Sequence, residues 1–81
     1  MKLFVGSLPW SINDQSLEEL FAKFGQVHSA KVIIDRESGR SKGFGFVEMS
    51  DEDAKKAIDA LNGSELQSRT IVVNQAEDKK R

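Results

Sequence analysis

The chain contains no cysteine and no tyrosine, and only one proline and one histidine among its 81 residues. Without cysteine it cannot have a disulfide scaffold or a zinc site with thiolate ligands. The single histidine, His28, cannot build a multi-histidine metal site by itself. We therefore expect no metal and no other cofactor.

Long apolar runs are also missing. No stretch approaches the roughly 20 apolar residues that a membrane-spanning helix needs. The apolar start of the chain ends at Gly6, which is too early for the apolar segment of a signal peptide. We therefore expect a cytoplasmic protein with no membrane partner.

An excess of positive charge is absent as well. The chain has 12 basic and 13 acidic residues, which gives a net charge of −1 and an isoelectric point of about 5.8. Nucleic-acid-binding domains often have an isoelectric point above about 9. Overall charge therefore gives no sign of nucleic-acid binding, and such a function has to be argued from where the charges lie.

What the chain does contain is an alternation of strand-like and helix-like segments within one small domain. Short apolar or β-branched runs predict strands at 2–6, 27–35, 43–49 and 70–74. Apolar residues recur at helical spacing in two segments, Leu17, Leu20, Phe21 and Phe24, and then Ala54, Ala57, Ile58 and Leu61. Asn13 is the predicted N-cap of the first helix, and residues 50–53 resemble a capping box for the second.

The resulting order, βαββαβ, predicts an α+β fold of the ferredoxin-like type. In this sandwich both helices pack on one face of a four-stranded antiparallel sheet. The second face of the sheet is then left to solvent. The residues on that open face decide what the domain can bind.

Strand side chains alternate between the two faces, so sequence parity sorts them. If Val5 and Val47 lie under the helices, the open face holds Lys2, Phe4, Lys42, Phe44, Phe46 and Glu48. In the alternative register Phe44 and Phe46 belong to the core, and glycines face outward. The lysines favour the first register, since they cannot lie in a core, and the first helix already supplies aromatic core residues.

Residues 42–49, Lys-Gly-Phe-Gly-Phe-Val-Glu-Met, resemble the RNP1 signature of the RNA recognition motif (RRM) family at seven of its eight positions. Residues 3–8, Leu-Phe-Val-Gly-Ser-Leu, resemble the RNP2 hexamer of the same family. The departures are Met49, in place of the last RNP1 aromatic, and Ser7, in place of an asparagine common in RNP2. The resemblance implies an RRM domain at 1–76 and a polar, basic C-terminal tail at 77–81.

The resemblance also implies how the open face would bind single-stranded RNA. Phe4 and Phe46 would stack two successive bases, and Phe44 would pack against the sugars. Lys42 would meet a backbone phosphate. Electrostatic contacts are further expected from Lys2, Lys31 and Arg40, and additional contacts from Trp10, Ile33, Arg36, Asn74 and Ala76. The RNP1 glycines are expected to let a helix backbone approach the inner face of the sheet.

Trp10 lies in the loop that follows the first predicted strand. In one interpretation, which we favour, the indole closes the edge of the sheet. In the other it contacts a flanking nucleotide, as an aromatic at this place does in some RRM proteins. The sequence leaves both interpretations open.

Charge is distributed unevenly over the predicted fold. Each predicted helix sums to −2, whereas the open face and the loop after its second strand hold five basic residues against three acidic ones. A local excess of about +2 predicts a shallow dependence of binding on salt. Base stacking is therefore expected to supply most of the affinity.

The leading hypothesis is a monomeric, non-catalytic module that binds single-stranded RNA, with single-stranded DNA as another possible ligand. The chain resembles the short single-RRM proteins of bacteria, which implies post-transcriptional regulation or RNA chaperone activity. Met1 lies one residue before the first predicted strand, and the chain ends soon after the last. This favours a complete small protein over a domain excerpt.

Two other functions are compatible with the same fold. An acylphosphatase-like enzyme on the same fold needs an arginine in the first loop, and residues 6–10 contain none. A protein-interaction RRM, whose sheet or helix face binds a peptide or protein, typically has Arg-x-Phe before the last strand. The chain has Arg69-Thr70-Ile71 there, without the phenylalanine.

Overall fold

The computed structural model describes residues 1–76, and the predicted tail at 77–81 lies outside them. Within this range the elements follow the order β1 (Lys2–Gly6), α1 (Asp14–Ala22), β2 (Val27–Ile34), β3 (Ser41–Met49), α2 (Asp51–Leu61), β4 (Glu65–Leu66), β5 (Arg69–Thr70) and β6 (Val72–Gln75). Neither of the two helices in this range is long and apolar enough to cross a membrane.

Four of the strands form one antiparallel sheet in the order β2-β3-β1-β6. The helices cover one face of this sheet, which confirms the ferredoxin-like α+β fold. Removal of apolar side chains from water is the main favourable term in such a fold. The core includes Leu3, Val5, Leu17, Phe21, Val32, Val47, Met49, Ala54, Ala57 and Val73.

The two helices begin in different ways. The Asn13 side chain accepts a hydrogen bond of 2.8 Å from the backbone N–H of Ser16, which confirms Asn13 as the N-cap of α1. At α2 the predicted capping box is wrong. The Ser50 hydroxyl donates to the Asp53 carboxylate at 3.1 Å instead of accepting a backbone N–H. An aspartate has a shorter side chain than the glutamate of a capping box, and here it meets the hydroxyl rather than the Ser50 backbone.

The last predicted strand, 70–74, has the wrong limits. β6 begins only at Val72, because β5 pairs with β4 in a separate two-stranded sheet. Ile71 lies between the two sheets with its side chain fully buried. The turn between β4 and β5 has positive φ angles, 51° at Gln67 and 71° at Ser68. Such turns usually contain glycine or asparagine, so this sequence did not reveal the hairpin.

Gly45 lies close to the backbone of the neighbouring strand β2. A Cβ atom at this position would lie 2.5 Å from the Lys31 carbonyl oxygen and 3.0 Å from the Val32 Cα, both in the β2 backbone. The helix side contributes a side-chain contact from Leu17, at 3.2 Å. The expectation of a close helix backbone is therefore wrong, because it is the neighbouring strand that requires a glycine here.

Candidate nucleic-acid interface

The sheet face opposite the helices carries a continuous row of side chains across all four strands. Asn74 in β6 is the register partner of Phe4 in β1, which in turn faces Phe46 in β3. Phe46 is then the partner of Lys31 in β2. Gly45, Val47 and Met49 on the inner face of β3 are buried, as the first register predicts, and Gly43 near the start of the strand is half-buried.

Two further rows flank this central one. On one side Gly6 is the partner of both Val72 and Phe44. On the other side Glu48 is the partner of both Lys2 and Ser29. The three phenylalanines predicted on the open face therefore lie on adjacent rows of the two central strands.

The three phenylalanine rings form a single cluster, which we call the aromatic platform. Its ring centroids are 5.7 Å apart for Phe4 and Phe44, 5.9 Å for Phe4 and Phe46, and 6.2 Å for Phe44 and Phe46. Each phenylalanine is half-buried. The pairs Phe4–Phe46 and Phe44–Phe46 are edge-to-face and the pair Phe4–Phe44 is tilted, and such contacts hold the rings in place.

Gly6 provides space for one of these rings. A Cβ atom on Gly6 would come within 2.8 Å of the Phe4 ring. Gly6, which follows Val5 in the RNP2 segment, therefore leaves room for the Phe4 ring to lie along β1. The position of Phe4 in the aromatic platform depends on this gap.

Basic and aliphatic side chains border the platform on its β2 side. The Lys2 ammonium lies 5.2 Å from the centroid of the Phe46 ring, which is a cation–π distance. Lys31 is exposed directly across from Phe46, and Ile33 is half-buried beside the same ring. These three residues occupy the places that the sequence predicts for them.

The β6 side of the platform is less basic. Asn74 is exposed next to Phe4, and the Val72 side chain is 37% exposed. The Ala76 N–H donates to the Lys2 carbonyl at 2.8 Å, which continues the sheet ladder beyond β6. This backbone donor is used within the fold, so Ala76 cannot offer it to a base.

The loop between β2 and β3 is held together by Asp35. Its carboxylate accepts hydrogen bonds from the Ser38 hydroxyl at 3.0 Å and from the Glu37 N–H at 3.4 Å. These bonds, the Ser38 bond above all, together with the nearby charge of Lys42, lower the pKa of the Asp35 carboxyl below its ordinary value of 3.8. The loop is therefore held by internal hydrogen bonds, and its basic residues extend from a fixed backbone.

Trp10 is 67% exposed, so the favoured interpretation in which it closes the sheet edge is wrong. Its loop is fixed from both sides, by the Leu8 N–H donating to the Gly43 carbonyl at 2.8 Å and by the Ser11 hydroxyl donating to Gln67 at 2.6 Å. These bonds leave the indole outside the core.

The guanidinium carbon of Arg40 lies 5.8 Å from the centroid of the Trp10 ring. Arg40 therefore contacts the exposed indole and not the aromatic platform. Arg36 is exposed in the same loop. The basic residues of the loop thus form a second, separate group at the end of the sheet.

A model of the RNA recognition motif matches residues 3–72. The chain belongs to the RNA recognition motif family. This RRM carries the family's two signature segments on neighbouring central strands, β1 and β3, with their aromatic side chains in contact.

Two relatives of this RRM from plants show the extent of the similarity. It is 49% identical over 79 residues to a glycine-rich RNA-binding protein of Daucus carota, covering 96% of the chain and 50% of the relative. It is 52% identical over 81 residues to a chloroplastic 28 kDa ribonucleoprotein of Nicotiana sylvestris, covering 99% of the chain and 29% of the relative. The chain spans about half the length, or less, of these relatives.

Solved structures give the same fold at high similarity. The crystal structure of an RNA-binding protein called PG1 has a TM-score of 0.92 and 43% identity, and the match covers 100% of this chain and 99% of that one. The Rna15 RRM with bound RNA (GU) has a TM-score of 0.85 and 30% identity, with coverage of 99% and 86%.

Sequence reasoning undervalued two residues on the open face. The sequence pattern predicts only an opposing charge for Glu48 and no contact for Ser29. Both lie in the row next to Phe46, where they are register partners. Strand alternation was the available signal, because Glu48 shares parity with Phe46 and Ser29 shares parity with Lys31.

Proposed function

We propose that this RRM binds single-stranded RNA by stacking successive bases on Phe4 and Phe46, with Phe44 packed against the sugars. RNA binding follows from membership of the family. The single-stranded form of the ligand, the stacking mode and the individual residues are the proposal. A monomer without catalytic activity is sufficient for this function.

The aromatic platform is the observation that carries the proposal. Three half-buried aromatic rings lie in mutual contact on the sheet face that the helices leave open, and the Lys2 ammonium lies over one of them. Stacking of a base on an aromatic side chain contributes about 1–3 kcal/mol per base, and it requires bases that are unpaired. The rings are held by their contacts, so little side-chain ordering opposes binding.

Charge supports the same ligand in a secondary way. Lys2 and Lys31 border the platform. Arg40 and Lys42 lie at the end of the sheet where a loop joins β2 to β3. Phosphate contacts fix the position of a strand and do not read its sequence. The small excess of basic residues fits a site where stacking contributes more than counterion release.

The biological setting we propose is post-transcriptional regulation or RNA chaperone activity in the cytoplasm. The relatives include proteins named as chloroplastic and mitochondrial, so their locations differ. Family membership and the open aromatic face support an RNA ligand in any of these settings.

The proposal is tested by fluorescence polarisation with short single-stranded RNA homopolymers. A variant with both Phe44→Ala and Phe46→Ala should lose at least about tenfold in affinity, because stacking contributes about 1–3 kcal/mol per base. The matched control replaces both residues by leucine, which keeps apolar volume but removes the aromatic ring. It should also bind weakly if stacking, rather than apolar contact, holds the base.

Circular dichroism must first establish that all variants are folded. Equal affinity of the wild type and the folded alanine variant would show that the platform is not the site. The same titration with the DNA versions of these oligomers measures whether the 2′-hydroxyl contributes. Weak RNA binding combined with displacement by a peptide would instead favour the protein-interaction function.

A further inference from the structure

Next to Phe46 the open face has a shallow recess that the family resemblance does not explain. It measures about 270 Å³ and is lined by Lys2, Ser29, Lys31, Ile33, Phe46 and Glu48. Because Phe46 lines this recess, a base stacked on its ring has room to direct one edge into it. The groups around the recess can therefore contact that edge.

Glu48 is the unusual member of this set. It is exposed, and within residues 1–76 its carboxylate forms no ion pair within 4.0 Å, although Lys2 is its cross-strand partner. The Lys2 ammonium lies over the Phe46 ring instead. An unpaired carboxylate on this face repels phosphates, so it weakens RNA binding unless it accepts hydrogen bonds from a base.

We infer that Glu48, with the lysines on either side, makes this recess a guanine-selective subsite. The inference rests on the proposed function, because a base must first stack on Phe46. It adds a sequence preference to a platform that by itself accepts any base.

The donors and acceptors of guanine match the charges of the recess. Its N1–H and its N2 amino group are adjacent donors, which suit the two oxygens of one carboxylate. Its O6 lies beside N1 and accepts a hydrogen bond from an ammonium group. Glu48 and either Lys2 or Lys31 can thus satisfy the whole Watson–Crick edge of a guanine.

The other bases match less well. Cytosine and adenine each present one amino donor next to a ring nitrogen whose lone pair faces the second carboxylate oxygen. Uracil presents a single N–H between two carbonyl oxygens, which the carboxylate repels. The expected order of affinity at this subsite is guanine first, then cytosine and adenine, and uracil last.

The test compares fluorescein-labelled octauridine RNA with the same RNA carrying one central guanosine. The full chain should bind the guanosine RNA about tenfold more tightly, because a bidentate side-chain-to-base pair discriminates by about 1–3 kcal/mol. Inosine in place of guanosine, which lacks the N2 amino group, should lose most of this gain. 7-Deazaguanosine should keep it, since the change lies on the opposite edge of the base.

The decisive variant is Glu48→Gln, which keeps the side-chain size but removes the charge and one acceptor. The guanosine preference should fall to about twofold or less, while affinity for octauridine stays equal or rises slightly. Glu18→Gln, on the exposed surface of α1, makes the same chemical change on the opposite side of the molecule. It should keep the full preference.

Three outcomes would overturn the inference. The wild type could bind both RNAs equally, it could prefer octauridine, or Glu48→Gln could keep the wild-type ratio. In each case the aromatic platform can still bind RNA, so only the subsite is rejected. A wild type that binds neither RNA would reject the proposed function and the subsite together.

Discussion

The two faces of the central strands β1 and β3 differ, although the residues that form them alternate along the same two strands. On the inner face Leu3, Val5 and Val47 are fully buried against the helices. On the outer face Phe4 and Phe46 are only half-buried, and their rings contact each other and Phe44. Neighbouring residues thus perform different tasks, because a strand turns successive side chains to opposite sides.

The two faces differ in polarity as well. Within residues 1–76 no polar or charged residue is buried, so the side chains of the core are apolar. The outer face holds exposed lysines and an unpaired glutamate around its aromatic rings. Under the proposed function, stability comes mainly from the inner face and RNA binding from the outer face. Substitutions in a single strand can test this division.

The largest expected effect comes from the inner face. Leu3→Ala removes a fully buried side chain and should lower the free energy of unfolding by about 2–5 kcal/mol. For a domain of this size that is a large share of a total of about 5–15 kcal/mol. Urea denaturation followed by circular dichroism measures the loss.

The matched variant is Phe4→Ala, at the next position of the same strand. It should cost less than half as much stability as Leu3→Ala, yet lower RNA affinity about tenfold, because one stacking surface is lost. At a temperature where Leu3→Ala is folded, that variant should bind RNA as the wild type does. The division between the faces breaks down if Phe4→Ala is the more destabilising of the two.

A second pair of variants, at two glycines, compares how tightly the inner and outer faces are packed. Gly45→Ala places a Cβ against the β2 backbone, which cannot move aside without breaking the sheet register. It should lower the free energy of unfolding by about 1–3 kcal/mol, the usual cost of overpacking. Gly6→Ala meets only the Phe4 ring, a side chain that can rotate away.

Gly6→Ala should therefore cost little stability but reduce RNA affinity, because it displaces Phe4 from the aromatic platform. Urea denaturation and fluorescence polarisation on the same two proteins measure both quantities. An equal loss of stability in the two variants would mean that the outer face is packed as tightly as the inner one.

The element order and the two faces could be predicted from the sequence because both depend on local periodicity. Leu17 and Phe21 show the helical spacing of an inner face, and the alternation from Lys42 to Met49 separates aromatic from aliphatic residues. The lysines on the aromatic side decide the register, since a charged residue is rarely buried without a partner.

The features that sequence reasoning missed depend on contacts between distant segments. The last predicted strand is interrupted at Ile71 for two reasons. The Ile71 N–H donates to the Ser64 carbonyl, and a turn with positive φ angles joins β4 to β5. The exposure of Trp10 follows from hydrogen bonds that join its loop to β3 and to the β4–β5 turn. Neither the partner segment nor the turn geometry is encoded in a local pattern.

The smallest expected effect concerns the loop between β2 and β3, which belongs to neither face. Hydrogen bonds from the Ser38 hydroxyl and the Glu37 N–H favour the ionised form of Asp35, and they hold its pKa below 3.8. A lowered pKa in the folded state means that the charged carboxylate stabilises the fold. This contribution is complete above the unfolded-state pKa and is lost as the pH falls through the lowered folded-state pKa.

Asp35→Asn should therefore unfold at a slightly lower temperature than the wild type at neutral pH. The difference should shrink toward zero only below about pH 3.8, where the wild-type carboxyl becomes protonated. Thermal unfolding of both proteins, followed by circular dichroism from neutral to acidic pH, measures it. Because Asp35 lies in a loop and is only half-buried, water still screens its charge, and the effect should be the smallest of these. A difference that stays constant across this pH range would mean that Asp35 acts through its shape and not its charge, and the loop would then need no ionised carboxylate to present Arg40 and Lys42.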